Sequence, residues 1–472
     1  MVGTRVGLVG VGLEAYWPQF VGLEERLLGY VRRVEERVAA SGVEVVNLGM
    51  IDTPQKSMAA GHELRREDVD LLLIYVTTYA LSATVLPMVQ RAKVPVILLN
   101  LQPDAAIDYA RFNAMGDRTA MTGEWLAYCS ACSVPEIANV FKRAGIWSAE
   151  VTGTLEDEAV WQEVGGWVEA ARVVGTMAHS RIGLMGHLYS GMLDIATDLT
   201  RVCATFGGHF EMLEVDELSG LAAEVGEPDS RARVMEFREQ FEVQESCDEA
   251  ELTRAARSSL ALDYWVRRHE LDALAYYYKG SGVVANEQTM SSIILGASLL
   301  TGRGIPVAGE YEVKNVLAMK MMDALGAGGS FTEFYGVDFA EGIVLMGHDG
   351  PGHMGIAEGK VTVRPLQVYH GKVGSGLSVE MSVKTGPVTI LSIVEDDGSF
   401  ALQYAEGMVE AGPTLEIGNT NSRFRFAGGA KRFLQDWNSG GPAHHCATGV
   451  GHIGDRLEKV AGLLGLRIVK VC

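Results

Sequence analysis

The chain has 472 residues, 47% hydrophobic and 21% charged, a balance that excludes a disordered polypeptide and a length that exceeds one ordinary core, so roughly two to four domains are expected. Its net charge of −20, from 40 basic and 60 acidic side chains, excludes the basic footprint of a nucleic-acid binder and points to a soluble chain repelled by phosphate backbones and anionic membranes. No apolar run approaches the ~18 residues that a membrane span requires.

Met1 to Gly12 reads as a short apolar strand broken by glycines. It has neither the charged leading segment nor the cleavage site of a signal peptide, so a cytoplasmic protein is expected. Val6–Val11 is predicted as a strand, Leu23–Ala40 as a helix, Val43–Leu48 as a strand, Asp70–Val76 as a buried strand, Ala83–Lys93 as a helix and Val94–Leu101 as another buried strand. This alternation predicts a doubly wound parallel sheet. Gly10-Val11-Gly12-Leu13-Glu14-Ala15 imitates a dinucleotide fingerprint, but Tyr16-Trp17-Pro18 stands where the phosphate-binding helix should start, and Asn47 replaces the acid expected near the end of the second strand. A glycine turn is the better reading. Of the six cysteines, only Cys129 and Cys132 form a C-x-x-C; it is half of a zinc site and is read as a buried structural pair in a reduced protein.

A second alternating block opens with the strand Arg181–Leu184. The helix Met192–Phe206, strand His209–Val215, a polar helix-rich stretch over 219–268, strand Ala273–Tyr277, helix Gln288–Leu300 and strand Ile305–Val307 follow. Helical periodicity fades after about residue 328. Short alternating segments replace it at Gly342–Met346, Lys360–Leu366, Leu377–Lys384, Val388–Val394, Phe400–Met408 and Arg423–Phe426, with turn residues such as Asp397-Gly398 between them. One helix, Asp455–Leu464, and a strand, Arg467–Val471, close the chain. The expected architecture is two doubly wound, Rossmann-like or flavodoxin-like α/β domains, 1–172 and 173–327, followed by an antiparallel β-barrel-like domain, 328–472.

The chemistry-bearing residues gather late. Six of the eleven histidines (His348, His353, His370, His444, His445 and His452) lie in the last third. Glu310 stands at the carboxyl end of a buried strand, where α/β sheets bind ligands, and Glu312 follows as a helix N-terminal acid. Phe331-Thr332-Glu333-Phe334-Tyr335 places a carboxylate among aromatics, costly unless it is paired or holds a cation. His348-Asp349-Gly350-Pro351-Gly352-His353 and Gly440-Gly441-Pro442-Ala443-His444-His445 bring imidazoles in glycine-rich loops. Adjacent residues on extended chain point opposite ways, so one of His444 and His445 is expected to reach a given metal while the other orients substrate. Carboxylates with imidazoles favour Mn²⁺, Mg²⁺ or Co²⁺ over a closed thiolate zinc site, unless Cys446 joins.

These segments, in this order, resemble the L-arabinose isomerase family and its L-fucose isomerase relatives. The resemblance rests on Ala308-Gly309-Glu310, Phe331 to Tyr335, Gly347-His348 and Gly441 to His445, together with the three-part layout. It implies Glu310, Glu333, His348 and His445 as Mn²⁺ ligands, with Co²⁺ or Mg²⁺ as other occupants, and His444 as an adjacent polar contact. It also implies a homo-oligomer, trimeric or hexameric, in which a neighbour's amino-terminal domain closes over an aldose or ketose. Tyr16 and Gln19 thereby become substrate contacts. The sequence departs from the family on both sides of His348: the interval from Glu333 to His348 is shorter, and Asp349-Gly350-Pro351-Gly352-His353 follows in place of an apolar-acidic run, so His353 competes as ligand or substrate contact. The implied reaction is aldose–ketose isomerisation with Glu310 and Glu333 as acid and base, by a cis-enediol or a hydride shift. A sugar-binding protein without catalysis and a metal-dependent hydrolase using the His348–His353 loop are the other readings.

Overall fold

The computed structural model describes residues 3–366 and 374–472, so His370 lies outside the described residues. Two compact units emerge, Met1–Gly175 and Thr176–Cys472.

In the first unit, β1 (Arg5–Val11), β2 (Glu44–Ile51), β3 (Leu71–Val76), β4 (Val96–Gln102) and β5 (Ser148–Thr154) form a parallel sheet in the order β2-β1-β3-β4-β5. Every residue of β3 is buried, which accounts for its unbroken apolar run, Leu71-Leu72-Leu73-Ile74-Tyr75-Val76. The helix Leu23–Ala39 buries Leu23, Leu27, Val31, Val34 and Val38, one stripe at helical spacing. A Cβ on Gly10 would stand 2.6 Å from Val31, and one on Gly12 would stand 2.8 Å from the Trp17 ring. The glycines therefore serve close packing. The chain leaves β1 through a short 3-10 turn, Glu14–Tyr16, and the next α-helix begins only at Leu23. Cys129 and Cys132 are joined as a disulfide, and Cys132 is exposed, not buried as the apolar surroundings implied.

The second unit carries a parallel sheet of β6 (Arg181–Gly186), β7 (His209–Leu213), β9 (Ala273–Tyr277) and β10 (Val307–Ala308), ordered β10-β9-β6-β7, with β8 (Glu242–Val243) lying apart from it. Its larger sheet consists of β11 (Ser330–Asp338), β12 (Ile343–His348), β15 (Gly386–Asp396), β16 (Ser399–Glu410), β17 (Thr420–Phe426), β18 (Cys446–Val450) and β19 (Arg467–Lys470). The order is β15-β18-β11-β12-β17-β16-β19, antiparallel except at β19, and β15 pairs with β16 as well as with β18. At the β15–β16 turn Asp397 and Gly398 both have positive φ, 43° and 77°, as a two-residue hairpin with the strands' own twist demands.

Several elements differ from the sequence reading. The segments β13 (Thr362–Leu366) and β14 (Gly376–Glu380) do not join the large sheet but pair with β8 in one of their own. Pro365 lies just beyond the two residues that β8 pairs, at a position that could not donate a ladder bond. The expected helix Met192–Phe206 shortens to Leu199–Phe206, because Asp198 accepts the N–H groups of Thr200 and Arg201 and caps it there. The stretch Gln288–Leu300 divides into helices Val284–Met290 and Ile294–Gly302, with the Ser291 and Ser292 hydroxyls bonding back to the Gln288 carbonyl at the break. A helix unforeseen in the β-rich region, Ala430–Ser439, buries Ala430, Phe433 and Trp437. Among the described residues no helix is long and apolar enough to cross a membrane.

Gly347 carries the tightest constraint near the catalytic candidates. A Cβ there would fall 1.7 Å from the Thr420 carbonyl oxygen across the β12–β17 ladder. Gly347→Ala is therefore expected to destabilise the protein by about 2–3 kcal/mol, read as a lowered midpoint in urea or heat; an unchanged midpoint would show that the two strands part freely.

Candidate functional site

Three neighbouring strands of the large sheet, β18-β11-β12, deliver the side chains. β11 lies in the middle. Glu333 on β11 stands opposite Gly347 on β12, so His348 follows one residue later. On the other flank Thr332 is opposite Cys446 of β18, which carries His445 to the side of Glu333. Phe331 packs between the imidazoles, with ring centroids 4.4 Å from His348 and 4.3 Å from His445, and the two histidine rings are 5.1 Å apart.

Glu310 arrives from the parallel sheet. After β10 the chain passes Gly309, whose missing Cβ lets the backbone lie against Phe331 and His348. Glu310 and Tyr311 then take positive φ, 57° and 65°. Two consecutive non-glycine residues in the left-handed region cost of order 1 kcal/mol or more each. The Tyr311 N–H bonds the Tyr276 carbonyl and the Glu312 N–H bonds the Gly309 carbonyl, both at 3.0 Å, which holds the turn. Such a turn, paid for by its surroundings, concentrates at functional sites.

The donors fall into two groups that touch. Glu333, His444 and His445 each offer a ligand atom within 4.8 Å of the others. The His444 Nε2 lies 2.6 Å from Glu333 Oε2, and the His444 N–H donates to Asp194 Oδ2 at 2.8 Å. Glu310, His348 and Asp349 line a small cavity of about 20 Å³ with Tyr276, Ile294 and Leu366, room for a water molecule or an ion. Burial, and then Glu310 and Tyr189, push the phenol of the adjacent Tyr277 up to about 12, so it stays a neutral hydrogen-bonding group.

Glu312 is the residue the sequence reading assigned only to a helix terminus. It does begin the helix Val313–Ala324, but its side chain makes no capping bond. It is wholly buried instead, and Oε2 meets His445 Nδ1 while Oε1 has no hydrogen-bond partner among the described residues. With Nδ1 so engaged, Nε2 is the His445 nitrogen left for a ligand, the arrangement by which carboxylates orient metal-binding histidines. The signal was present in Glu310-Tyr311-Glu312 as a second acid at a buried strand's end. Asp349 was likewise visible only as the neighbour of His348; its carboxylate lies 3.3 Å from His348 Nδ1, which also accepts the Gly350 N–H at 3.0 Å. Cys446 does not join: it is fully buried, and burial, with Glu312 and Glu333 nearby, pushes its thiol far above the ordinary range.

The other expected contacts lie elsewhere. His353 is buried with Nδ1 accepting the Gly355 N–H at 3.2 Å and its ring near Gly328, and it lines neither donor group. Burial lowers its pKa against the opposing influence of Asp323. Tyr16 and Gln19 belong to the first unit, where Tyr16 packs edge-on to Phe20 and Gln19 Nε2 donates to the Ala15 carbonyl at 2.7 Å.

No family model matches the sequence. A curated L-arabinose isomerase from a Nocardioides species is 23% identical over 353 residues, spanning 71% of this chain and 68% of its own. The chain is a divergent relative of L-arabinose isomerase. Among solved structures, a GDSL-like lipase from Bacteroides thetaiotaomicron is 17% identical over 32% of this chain and 68% of its own, with a TM-score of 0.18. A periplasmic solute-binding protein of an ABC transporter from Actinobacillus succinogenes, with bound D-allose, is 10% identical over 65% and 78%, with a TM-score of 0.17. At such scores neither likeness bears on this arabinose isomerase-like chain.

The hydrogen bond to Glu333 raises the His444 pKa above its ordinary 6.5, and the charges of Glu333, Asp194 and Glu312 add to it against desolvation. A raised folded-state value means that the stabilisation is fully present below pH 6.5 and is lost as pH rises through the raised value. In chelator-treated protein, the stability difference between wild type and His444→Gln should shrink as pH climbs above 6.5 and through the raised value, measured by thermal denaturation. A difference independent of pH would break the link between this imidazole and Glu333.

Proposed function

We propose that the chain is a metal-dependent aldose–ketose isomerase acting on a free sugar such as L-arabinose or a related pentose, hexose or 6-deoxyhexose. The reading rests on one observation: Glu333, His444 and His445 converge beside the Glu310–His348 cavity, within a chain similar to an L-arabinose isomerase. The donor set suits a hard or borderline divalent cation, and the buried Glu312 Oε1, without a hydrogen-bond partner among the described residues, fits a neighbourhood organised around positive charge. Glu310, Glu333, His348 and His445 would hold Mn²⁺, with Co²⁺ or Mg²⁺ as substitutes. A divalent ion bound there supplies Lewis-acid stabilisation of negative charge developing on the sugar's O1 and O2.

The chain's own groups manage the protons. One of Glu310 and Glu333 takes the proton from C2, and the other moves a proton between O1 and O2, the work of a positioned acid/base pair. His444, held by Glu333 and by Asp194 through its backbone, is placed to orient a sugar hydroxyl. Glu312 keeps His445 in one ring orientation and tautomer. The proposal carries with it a homo-oligomer in which Tyr16 and Gln19 contact the sugar, and a β-barrel reading of the strand circuit that begins and ends at β15.

Ketose formation from a panel of aldoses, with protein stripped by chelator and then resupplied with Mn²⁺, tests the activity. Turnover should vanish on stripping and return with the ion; failure of every aldose with the ion present would end the reading, and retained sugar affinity would then favour a binding protein. Glu310→Gln and Glu333→Gln should each lower kcat at least about a hundredfold, whereas Tyr16→Phe should chiefly raise KM. Near-normal turnover by both glutamine variants would refute the site. Solvent deuterium appearing at the product's C1 is expected for the enediol route, and product free of it would instead indicate a hydride shift.

A further inference from the structure

The C-x-x-C of the first unit has no part in the chemistry above, yet it is built for exchange. We propose that Cys129 and Cys132 form a reversible thiol–disulfide site for a low-molecular-weight disulfide of the glutathione class. Their Cα atoms are 5.9 Å apart and the sulfurs are bonded, a spacing that a disulfide spans without moving the backbone. The two differ in access, since Cys129 is 5% exposed and Cys132 lies on the surface. Both redox states have a place in the same turn. Cys132 Sγ lies 3.0 Å from the Cys129 carbonyl oxygen, an acceptor for the reduced thiol. Cys132 also stands two residues ahead of the ten-residue helix Val134–Arg143, whose amino end favours the attacking thiolate.

The exchange balances without any other reactant. The Cys132 thiolate attacks one sulfur of the small disulfide, forming a mixed disulfide and releasing one thiol. The Cys129 thiolate then attacks Cys132 Sγ, closing the protein disulfide and releasing the second thiol. Two protein thiols are oxidised and the small disulfide is reduced to two thiols.

The turn is fastened to the sheet's carboxyl edge. Thr78 Oγ1 donates to the Leu126 carbonyl and the Ala80 N–H donates to Ser133 Oγ, each at 2.7 Å, which ties both ends of the turn to the loop after β3. Tyr128, beside Cys129, donates to Asp104 after β4 at 2.7 Å. In an α/β sheet of this order that edge is where ligands bind, so closing the disulfide stiffens loops at a ligand-facing rim. This inference stands apart from the isomerase reading.

The test uses the full chain, reduced, desalted and incubated with oxidised glutathione, then denatured, alkylated and mapped by mass spectrometry. Two of the six thiols should be lost as a Cys129–Cys132 pair and regained with excess reduced glutathione. Cys129→Ser should hold a stable glutathione on Cys132, and Cys132→Ser should react at residue 129 at least tenfold more slowly than wild type reacts at Cys132. Oxidation spread over Cys203, Cys247, Cys446 or Cys472, a Cys132→Ser protein that reacts at Cys129 as fast as wild type, or a pair that never closes would each overturn the proposal. Hydrogen exchange at residues 78–80 and 126–133 should slow on oxidation; unchanged exchange would remove the link to the rim.

Discussion

A carboxylate and an imidazole that are both sealed from solvent, Glu312 and His445, set the terms for everything around them. Taking an ionised carboxylate out of water is costly, and removing one partner of a buried charged pair typically costs about 3–5 kcal/mol because the other is left uncompensated. The contact satisfies one oxygen of Glu312 and one nitrogen of His445. It leaves Oε1 and Nε2 as the groups that the surroundings must still serve, and so commits this corner of the fold to polar groups beside the apolar Phe331 and Cys446.

That commitment explains the backbone. For Glu312 to point inward while Glu310, two residues earlier, faces the cavity, the chain must reverse within one turn, and it does so through the two positive-φ residues Glu310 and Tyr311. Gly309 makes the reversal possible by letting the turn sit on the Phe331 ring. The large sheet supplies the opposite wall. With β11 central between β18 and β12, the register of two ladders alone sets Glu333 between His445 and Gly347-His348, although these residues are far apart in sequence. Ladder hydrogen bonds place Glu333 and His348 directly, and Glu310, His444 and His445 sit on turns that leave or enter the strands beside them, which suits groups that must converge closely.

What could be read from the chain follows the range of the interactions involved. The buried strands of the first unit and the Asp397-Gly398 hairpin are dictated by local chemistry, and they stand where expected. Helix ends shifted where a side chain competed with the ladder, as Asp198, Ser291 and Ser292 do. The departure of β13 and β14 from the large sheet was not legible, because it depends on β8, about 120 residues upstream by the β13–β8 register, offering two paired residues. At the site, residue types drew attention to Glu310, Glu333 and the two histidine-bearing loops, and the choice of His348 and His445 within those loops came from the family resemblance. Partnership was not legible: the role of Glu312 is invisible until β18 is laid beside β11, since a buried pair and a helix-terminal acid look the same in one dimension.

One carboxylate of the site, Glu333, is already shared with an imidazole. Glu333 Oε2 is held by His444, whose raised pKa favours the protonated ring as donor. Glu333 cannot serve that proton and a divalent ion at full strength with the same oxygen. On the proposed reading, a cation bound by Glu333 would weaken the Glu333–His444 contact and lower the proton affinity of His444, which would couple ion uptake to proton release through one carboxylate. His445 faces no such conflict, because its own carboxylate partner, Glu312, is a different residue and meets Nδ1 alone. One imidazole is thus anchored by a buried carboxylate and the other is held at the surface by Glu333, which separates the adjacent histidines into a fixed ring and a more accessible one.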